Sequence, residues 1–186
     1  MKAAVVQFPG SNCDRDGYHA LKDILGADTS FIWHGDTQVP SGIDLIFLPG
    51  GFSYGDYLRT GAIAKFSPVM PAVIDFANSG GLVMGVCNGF QILLETGLLP
   101  GAMIPNHDLS FICDYATITP QRSNTPFYSG KLRPLRIPIA HFEGNYFADQ
   151  DTLDRIEGND QVLFRYTDNA GNPTPESNPN GSLNNI

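Results

Sequence analysis

The sequence predicts an α/β fold with a doubly wound, mostly parallel sheet, and three observations lead to this prediction. In the first half of the chain, short apolar runs alternate with helix-length amphipathic segments. Glycine-rich turns follow the apolar runs, as at Pro49-Gly50-Gly51. In the second half, strand-like runs with short connections indicate antiparallel additions to the sheet. We therefore expect a single domain over residues 1–186, with its sites above the carboxyl ends of the parallel strands.

The elements of the first half follow in the order strand, helix, strand, strand, helix, strand. Ser11 or Asn12 can cap the first helix, and Gly26 is expected to end it. Ser67 is expected to cap the second helix, with Pro68 at its first position. The predicted strands span residues 3–8, 29–33 and 43–48, and a run that begins at residue 82.

The second half is predicted to contain three further strands, over residues 111–118, 136–140 and 162–166. The segment Asn169-Ala170-Gly171-Asn172 is typical of a hairpin turn. From Pro173 to Ile186 the chain carries the turn signals Asn-Pro and Asn-Gly, so we expect turns there.

The composition limits the possible classes of function. A chain of 186 residues with 42% hydrophobic and 16% charged residues is expected to be globular. A net charge of −8, with no basic cluster, argues against a nucleic-acid partner. No apolar run is long enough to span a bilayer, so no membrane partner is expected. Cys13, Cys87 and Cys113 lack metal-ligand spacing, so we expect no metal site and reduced thiols in the cytoplasm.

The most informative motif is Gly85-Val86-Cys87-Asn88-Gly89, which joins an apolar run to a helix-length segment. It is the thiol version of the Gly-x-Ser-x-Gly nucleophile elbow, a strained strand-to-helix turn that holds the nucleophile at a helix N-terminus. Side chains in place of the flanking glycines would collide with the turn. A buried structural cysteine is the alternative, but this spacing favours Cys87 as a nucleophile.

An acyl-transfer site also needs an oxyanion hole and a base. The turn at Gly50-Gly51 is predicted beside the elbow, so its N–H and that of Asn88 could converge on a developing oxyanion. Among the four histidines, His141 stands out because Glu143 would share its face in an extended backbone. From the residues alone, His141 is either the base or a residue with a binding or structural role.

Several blocks of this sequence resemble the glutaminase subunit of phosphoribosylformylglycinamidine synthase, a class I glutamine amidotransferase of de novo purine biosynthesis. The resemblance covers almost the whole chain and is much more specific than an isolated Gly-x-Cys-x-Gly. It implies the flavodoxin-like sheet of that class. The blocks that carry it are Phe8-Pro9-Gly10-Ser11-Asn12-Cys13-Asp14, Leu48-Pro49-Gly50-Gly51-Phe52-Ser53-Tyr54-Gly55-Asp56-Tyr57-Leu58-Arg59, Gly85-Val86-Cys87-Asn88-Gly89-Phe90-Gln91 and His141-Phe142-Glu143-Gly144-Asn145-Tyr146.

The resemblance implies that glutamine is hydrolysed to glutamate through a thioester on Cys87. Ammonia would pass to a separate synthetase subunit, which uses ATP and Mg²⁺ to convert formylglycinamide ribonucleotide to formylglycinamidine ribonucleotide. A third, small subunit would bridge the two, and this chain itself would need no cofactor. Gly51 and Asn88 would form the oxyanion hole, while Gly50 and Gln91 would lie beside the bound glutamine.

The chain departs from the family pattern at three places. Phe142 replaces a usual glycine, which adds bulk beside the substrate pocket, and Thr60 replaces a usual cysteine. The family's triad histidine and glutamate come from a Pro-His-Pro-Glu segment that this sequence does not contain. The resemblance therefore implies that His141 and Glu143 belong to a substrate-side loop and bind glutamine, and that Cys87 lacks its base in this chain.

Two other functions stay open at this point. A cysteine hydrolase of a related elbow-bearing fold would have an acidic residue near the thiol on another strand and no synthetase partner, but the block from Gly51 to Tyr57 speaks against it. A non-catalytic subunit would keep the docking surface and lose turnover, which the missing triad pair makes possible.

Overall fold

Four parallel strands form the central sheet of residues 1–99 in the computed structural model, which describes all residues from 1 to 186. The strands lie in the order β2-β1-β3-β4. Strand β2 is added on one side of β1, and β3 and β4 are added on the other. This is the flavodoxin-like order, and it confirms the doubly wound, mostly parallel fold. The bounds are β1 Lys2–Gln7, β2 Asp28–Trp33, β3 Leu45–Leu48 and β4 Leu82–Gly85.

Both faces of this sheet are covered, as the apolar runs predict. In β1, four consecutive residues from Ala3 to Val6 are fully buried, which is typical of a parallel strand between two helical layers. One face packs Val6 and Ile46 in the same core as Met70 and Ile92. The opposite face forms a smaller core around Val5.

The helices of this unit are α1 Asp14–His19, α2 Met70–Asn78 and α3 Asn88–Glu95, and a π-helical turn Ala20–Ile24 continues α1. Two predicted caps are wrong. The residue at the start of α1 is Cys13, and it makes no capping hydrogen bond. Likewise α2 begins at Met70, because the buried Ser67 hydroxyl lies 2.8 Å from the hydroxyl of Tyr54.

Residues 100–186 form a second compact unit, which contains the antiparallel strands. They pair in two sheets of their own, β7-β6-β9 and β5-β8, instead of extending the parallel sheet as predicted. The turn at Asp168–Asn172 is present, but no strand follows it, so it does not close a hairpin. The bounds are β5 Ala102–Ile104, β6 Ile112–Pro120, β7 Leu135–His141, β8 Asn145–Phe147, α4 Gln150–Gly158 and β9 Phe164–Tyr166.

The helices of both units are short. None of them has the length and apolar character that a bilayer span requires. The single domain over residues 1–186 stays a prediction.

Candidate active site

Cys87 lies in the sharp turn between β4 and α3. Its backbone has φ 54° and ψ −113°, a left-handed conformation that side-chain-bearing residues rarely adopt. The residue is exposed, and α3 begins directly after it at Asn88. An exposed thiol on a strained strand-to-helix turn is the geometry of a nucleophile elbow.

The two glycines of the motif are required by packing. A Cβ on Gly89 would overlap the carbonyl group of Leu48 and lie 2.6 Å from its carbon. A Cβ on Gly85 would lie 2.5 Å from the carbonyl carbon of Gly89. Both obstacles are backbone atoms, which a rotamer change cannot move. The glycine spacing thus allows α3 to approach the sheet closely enough to form the elbow.

The Gly50-Gly51 turn after β3 lies against the thiol. A Cβ built on Gly50 would be 3.3 Å from the Cβ of Cys87 and 3.6 Å from the Sγ of Cys13. Gly51 has φ 124° and packs against Asn12, whose backbone nitrogen would be 2.6 Å from a Cβ at that position. The turn therefore presents bare backbone beside Cys87.

The side chain of Asn88, fully buried, joins three parts of the site. Its Oδ1 accepts a hydrogen bond from the backbone N–H of Ser53 at 3.1 Å. Its Nδ2 donates to Asp56 Oδ1 at 3.1 Å and to Gln91 Oε1 at 3.0 Å. The structure thus brings Cys87, Gly50, Asn88 and Gln91 together, and these hydrogen bonds fix the residue that follows the nucleophile.

Cys13 is the second thiol beside this turn. Burial, together with Asp16, Cys87 and Asp14, raises the pKa of Cys13 above its ordinary value. Cys13 therefore stays protonated at neutral pH and is a weak nucleophile. The third thiol, Cys113, lies in β6 of the second unit.

Neither histidine of the first unit is bonded to the thiol. The Nδ1 of His19 lies 2.6 Å from the carboxylate of Asp23 on the helix surface. The Nδ1 of His34 lies 2.7 Å from the hydroxyl of Tyr54. We assign the base to neither of them.

His141 and Glu143 lie in the second unit, at the end of β7. The strand stops at His141, so the extended backbone that would place Glu143 on the same face is not present. The partner of His141 Nδ1 is instead Asn106 Oδ1, at 3.1 Å. An amide, and not the carboxylate of Glu143, therefore orients this imidazole.

The hydrogen bonds of Asn106 fix the tautomer of His141. Asn106 Nδ2 donates to the carbonyls of Ser110 and His141, and Asn106 Oδ1 accepts the N–H of Gly144. His141 Nδ1 must therefore carry a proton and donate it to Asn106 Oδ1. Burial lowers the pKa of His141 below its ordinary value, so the ring is neutral at neutral pH. Its buried Nε2, which has no hydrogen-bond partner, is left as a bare acceptor.

The Asn178–Ser182 segment supports this loop, although its sequence predicts only turns. Asn180 and Ser182 are buried. Ser182 Oγ accepts the backbone N–H of Tyr146 at 3.0 Å and lies 2.7 Å from Asn180 Oδ1 and 3.2 Å from the Gly144 carbonyl oxygen, the two acceptors for its one proton. Sequence reasoning missed both Asn106 and this role of Ser182, because the partners are more than 30 residues apart and no local pattern marks them.

No group of three or more His, Cys, Asp or Glu side chains in the structure could hold a metal ion.

Comparison with known proteins gives a consistent result. The family model of the CobB/CobQ-like glutamine amidotransferase domain matches residues 1–186. Phosphoribosylformylglycinamidine synthase subunit PurQ of Moorella thermoacetica is 58% identical over 189 residues, which cover 100% of this chain and 79% of that protein. The subunit of the same name from a Synechocystis species is 55% identical, covering 98% of this chain and 82% of that protein.

Solved structures agree with the sequence matches. The structure of PurLQS from Thermotoga maritima contains a chain that is 41% identical, with a TM-score of 0.81 over 100% of this chain and 80% of that one. A glutamine amidotransferase from the same organism has a TM-score of 0.55 at 14% identity, which supports the fold alone.

Proposed function

Because the chain belongs to the family of phosphoribosylformylglycinamidine synthase PurQ subunits, which carry the CobB/CobQ-like glutamine amidotransferase domain, we propose that Cys87 is the nucleophile of its glutaminase reaction. The protein is a glutamine amidotransferase subunit that supplies ammonia to a synthetase in purine biosynthesis. The observation that carries the assignment is the strained backbone of Cys87, with φ 54°, at the start of α3. Strain of this kind persists in folded proteins chiefly where function requires it.

The reaction proceeds in two halves. The Sγ of Cys87 attacks the carboxamide carbon of glutamine, and the carbonyl oxygen becomes an oxyanion that accepts hydrogen bonds from the N–H groups of Gly51 and Asn88. The C–N bond then breaks, and the nitrogen leaves as ammonia after it takes up the proton that the thiol of Cys87 has lost. Water attacks the resulting thioester, which releases glutamate and returns the thiol of Cys87.

We assign the remaining predicted residues to glutamine binding. Gly50 offers backbone without a side chain next to Cys87, and the buried Gln91 is held by Asn88. The Nε2 of His141 is a neutral acceptor that is buried without a partner, and we assign it to an amide or ammonium N–H of the substrate. Glu143, in the same loop as His141, is likewise assigned to glutamine binding, as the resemblance implies.

The proposed assembly contains this chain, a synthetase subunit and a small bridging subunit, which the solved PurLQS structure of the Thermotoga relative supports. ATP and Mg²⁺ belong to the synthetase in this proposal, and this chain uses no cofactor of its own. The cytoplasmic location stays a prediction.

A glutamine analogue with a chloroketone or diazo group tests the assignment of Cys87. We expect one label per chain, located on Cys87 by peptide mass mapping, because the raised pKa and partial burial of Cys13 make it a poor competitor. Cys87→Ser should abolish labelling and glutamate release, while the matched Cys113→Ser should keep both. Labelling of Cys13 or Cys113, or glutamate release by Cys87→Ala, would show that the nucleophile is elsewhere.

A further inference from the structure

The segment from Phe52 to Leu58 has an unusual backbone. Three residues that are not glycine adopt left-handed conformations within it, Tyr54 with φ 54°, Asp56 with φ 52° and Leu58 with φ 75°. Each such residue costs about 1–3 kcal/mol, so the segment keeps this shape only because its surroundings impose it.

The inner side of the segment holds Asn88. The backbone N–H of Ser53 donates to Asn88 Oδ1, and Asp56 Oδ1 accepts from Asn88 Nδ2, both at 3.1 Å. These two bonds lie on either side of Tyr54 in the sequence. A change in the conformation of Tyr54 would therefore move the two partners that this segment provides to Asn88, whose N–H we place in the oxyanion hole.

One side chain ties the segment to the rest of the first unit. The hydroxyl of Tyr54 lies 2.7 Å from His34 Nδ1 and 2.8 Å from Ser67 Oγ. Its ring meets the imidazole edge-on, with 5.6 Å between the ring centres. His34 directly follows β2, and Ser67, which is only 2% exposed, precedes α2. We call these three residues, His34, Tyr54 and Ser67, the tyrosine latch.

The latch explains an observation that the sequence does not predict. Ser67 precedes a proline, which is the usual arrangement of a helix cap, yet it makes no capping bond and α2 begins three residues later. Its hydroxyl bonds to Tyr54 instead. A good helix cap contributes about 0.5–2 kcal/mol. Ser67 therefore holds Tyr54 in the segment from Phe52 to Leu58, and α2 lacks this stabilisation.

We propose that Tyr54 is a positioning residue for glutamine hydrolysis, which acts through Asn88 without touching the substrate. Its hydroxyl, held by His34 and Ser67, keeps residues 52–58 in the strained conformation, and the segment in turn keeps Asn88 in place for the oxyanion. This inference rests on the proposed role of Cys87 and Asn88.

The inference predicts an effect on kcat more than on KM. The oxyanion exists only in the transition state and the intermediate, so its misplaced donor slows the chemical step without weakening ground-state binding. Loss of a whole oxyanion-hole donor costs about 10²–10³-fold in kcat. A donor that is displaced and not removed should cost less, about 10–100-fold.

The test compares Tyr54→Phe with Tyr18→Phe in the protein assembled with its synthetase, by steady-state glutamate release. Tyr18→Phe is the matched control, because it removes a hydroxyl that bonds Lys22 on the surface of the same unit. We expect kcat to fall about 10–100-fold in Tyr54→Phe, with KM changed less than threefold, and no change in the control. Equal kcat in wild type and Tyr54→Phe would show that Tyr54 does not position Asn88 for the reaction.

The histidine provides a rescue test that a merely structural role would not pass. His34→Asn keeps a polar atom near the position of Nδ1 and should retain most of the rate, while His34→Leu should lose as much as Tyr54→Phe. The double variant Tyr54→Phe/His34→Leu should be no slower than either single one, since both remove the same bond. If His34→Asn is as slow as His34→Leu, or if the losses multiply, the inference is wrong.

Two measurements keep the outcome clear. If Tyr54→Phe does not fold, as judged by thermal unfolding, Ser67→Ala replaces it, since it removes the other partner of the same hydroxyl. If wild type is neither labelled at Cys87 by the glutamine analogue nor releases glutamate, the proposed function fails and the latch with it. If it is labelled without turnover, the rate of labelling replaces kcat in each comparison. A wild type that is active and variants that match it would reject the latch alone.

Discussion

The buried Nε2 of His141 is an acceptor without a partner, because Asn106 keeps the proton on Nδ1. This arrangement suits a residue that accepts a hydrogen bond from substrate, and it offers no carboxylate to assist proton transfer. His141→Ala should therefore raise the KM for glutamine about 2–10-fold, the value of one hydrogen bond, and leave kcat within threefold. If His141 were the base, kcat would instead collapse by about 10²–10⁴-fold. Steady-state glutamate release distinguishes the two.

The pH dependence gives this prediction a second measurement. Protonation would turn Nε2 from an acceptor into a donor, so substrate affinity should fall as pH drops through the pKa of His141. Burial lowers that pKa below the ordinary 6.5, so the KM of wild type should be constant at neutral pH and rise only at more acidic pH. In His141→Ala this rise should be absent. The surface variant His19→Ala should follow wild type, and a KM that rises equally in all three proteins would count against the assignment.

The sequence best predicts the positions at which packing allows only one size of side chain. The spacing around Cys87 is recognisable because the turn excludes side chains on both sides, and the structure has that turn. Asn106 could not be predicted, since its partners at 141 and 144 are distant in sequence. The catalytic and binding roles themselves stay predictions.

At the scale of elements, the elbow depends on how closely α3 approaches β3. Gly89→Ala would place a methyl group on the Leu48 carbonyl, so the start of α3 must shift away from the sheet. We expect a loss of about 1–3 kcal/mol in the free energy of unfolding, the usual cost of overpacking, and loss of labelling at Cys87. Urea unfolding and analogue labelling measure the two effects.

Gly158 offers a matched control for this substitution. It ends α4, and a Cβ there would meet nothing within 4 Å. Gly158→Ala should be neutral or stabilise the protein by up to about 1 kcal/mol. A Gly89→Ala protein as stable and as reactive as Gly158→Ala would contradict the packing argument.

The strands and helices of the first unit were predictable, and their exact starts were not. Buried parallel strands and amphipathic helices leave a periodic record in the sequence. The sequence pattern of a helix cap is less specific, because a serine hydroxyl can bond several partners. Ser67 bonds Tyr54, and α1 starts without the side chain of Ser11 or Asn12 as its cap.

At the scale of the whole molecule, we predict that the synthetase docks on the block from Phe52 to Arg59, on the side that faces away from Asn88. Phe52, Tyr57 and Leu58 are 54%, 74% and 90% exposed, an apolar group next to the elbow. Large exposed apolar side chains of this kind mark interaction sites. The double variant Tyr57→Ser/Leu58→Ser should weaken binding to the synthetase and small subunit at least about tenfold, as loss of an interface hot spot would. Calorimetric titration with glutamine and nucleotide present measures this.

Leu25→Ser is the control for the docking prediction, since Leu25 is 68% exposed on the same unit but lies beyond α1. It should leave the affinity unchanged. Unchanged affinity in the Tyr57→Ser/Leu58→Ser protein would place the synthetase elsewhere.

The fold class could be predicted from the sequence because alternating strands and helices have few stable arrangements. The separation of the antiparallel strands into sheets of their own could not. Strands β6 and β7 are recognisable one by one, but their pairing partner depends on contacts that no local pattern records.

The left-handed backbone of Cys87 also restricts which chemistry this fold can acquire. A second heavy atom on Cβ makes positive φ strongly unfavourable, so a β-branched residue cannot occupy the elbow without distorting it. Of the three small side chains that proteins use as thiol or hydroxyl nucleophiles, threonine is thereby excluded, while serine and cysteine remain. The φ of this residue therefore allows serine to replace cysteine in evolution, and it does not allow threonine to do so.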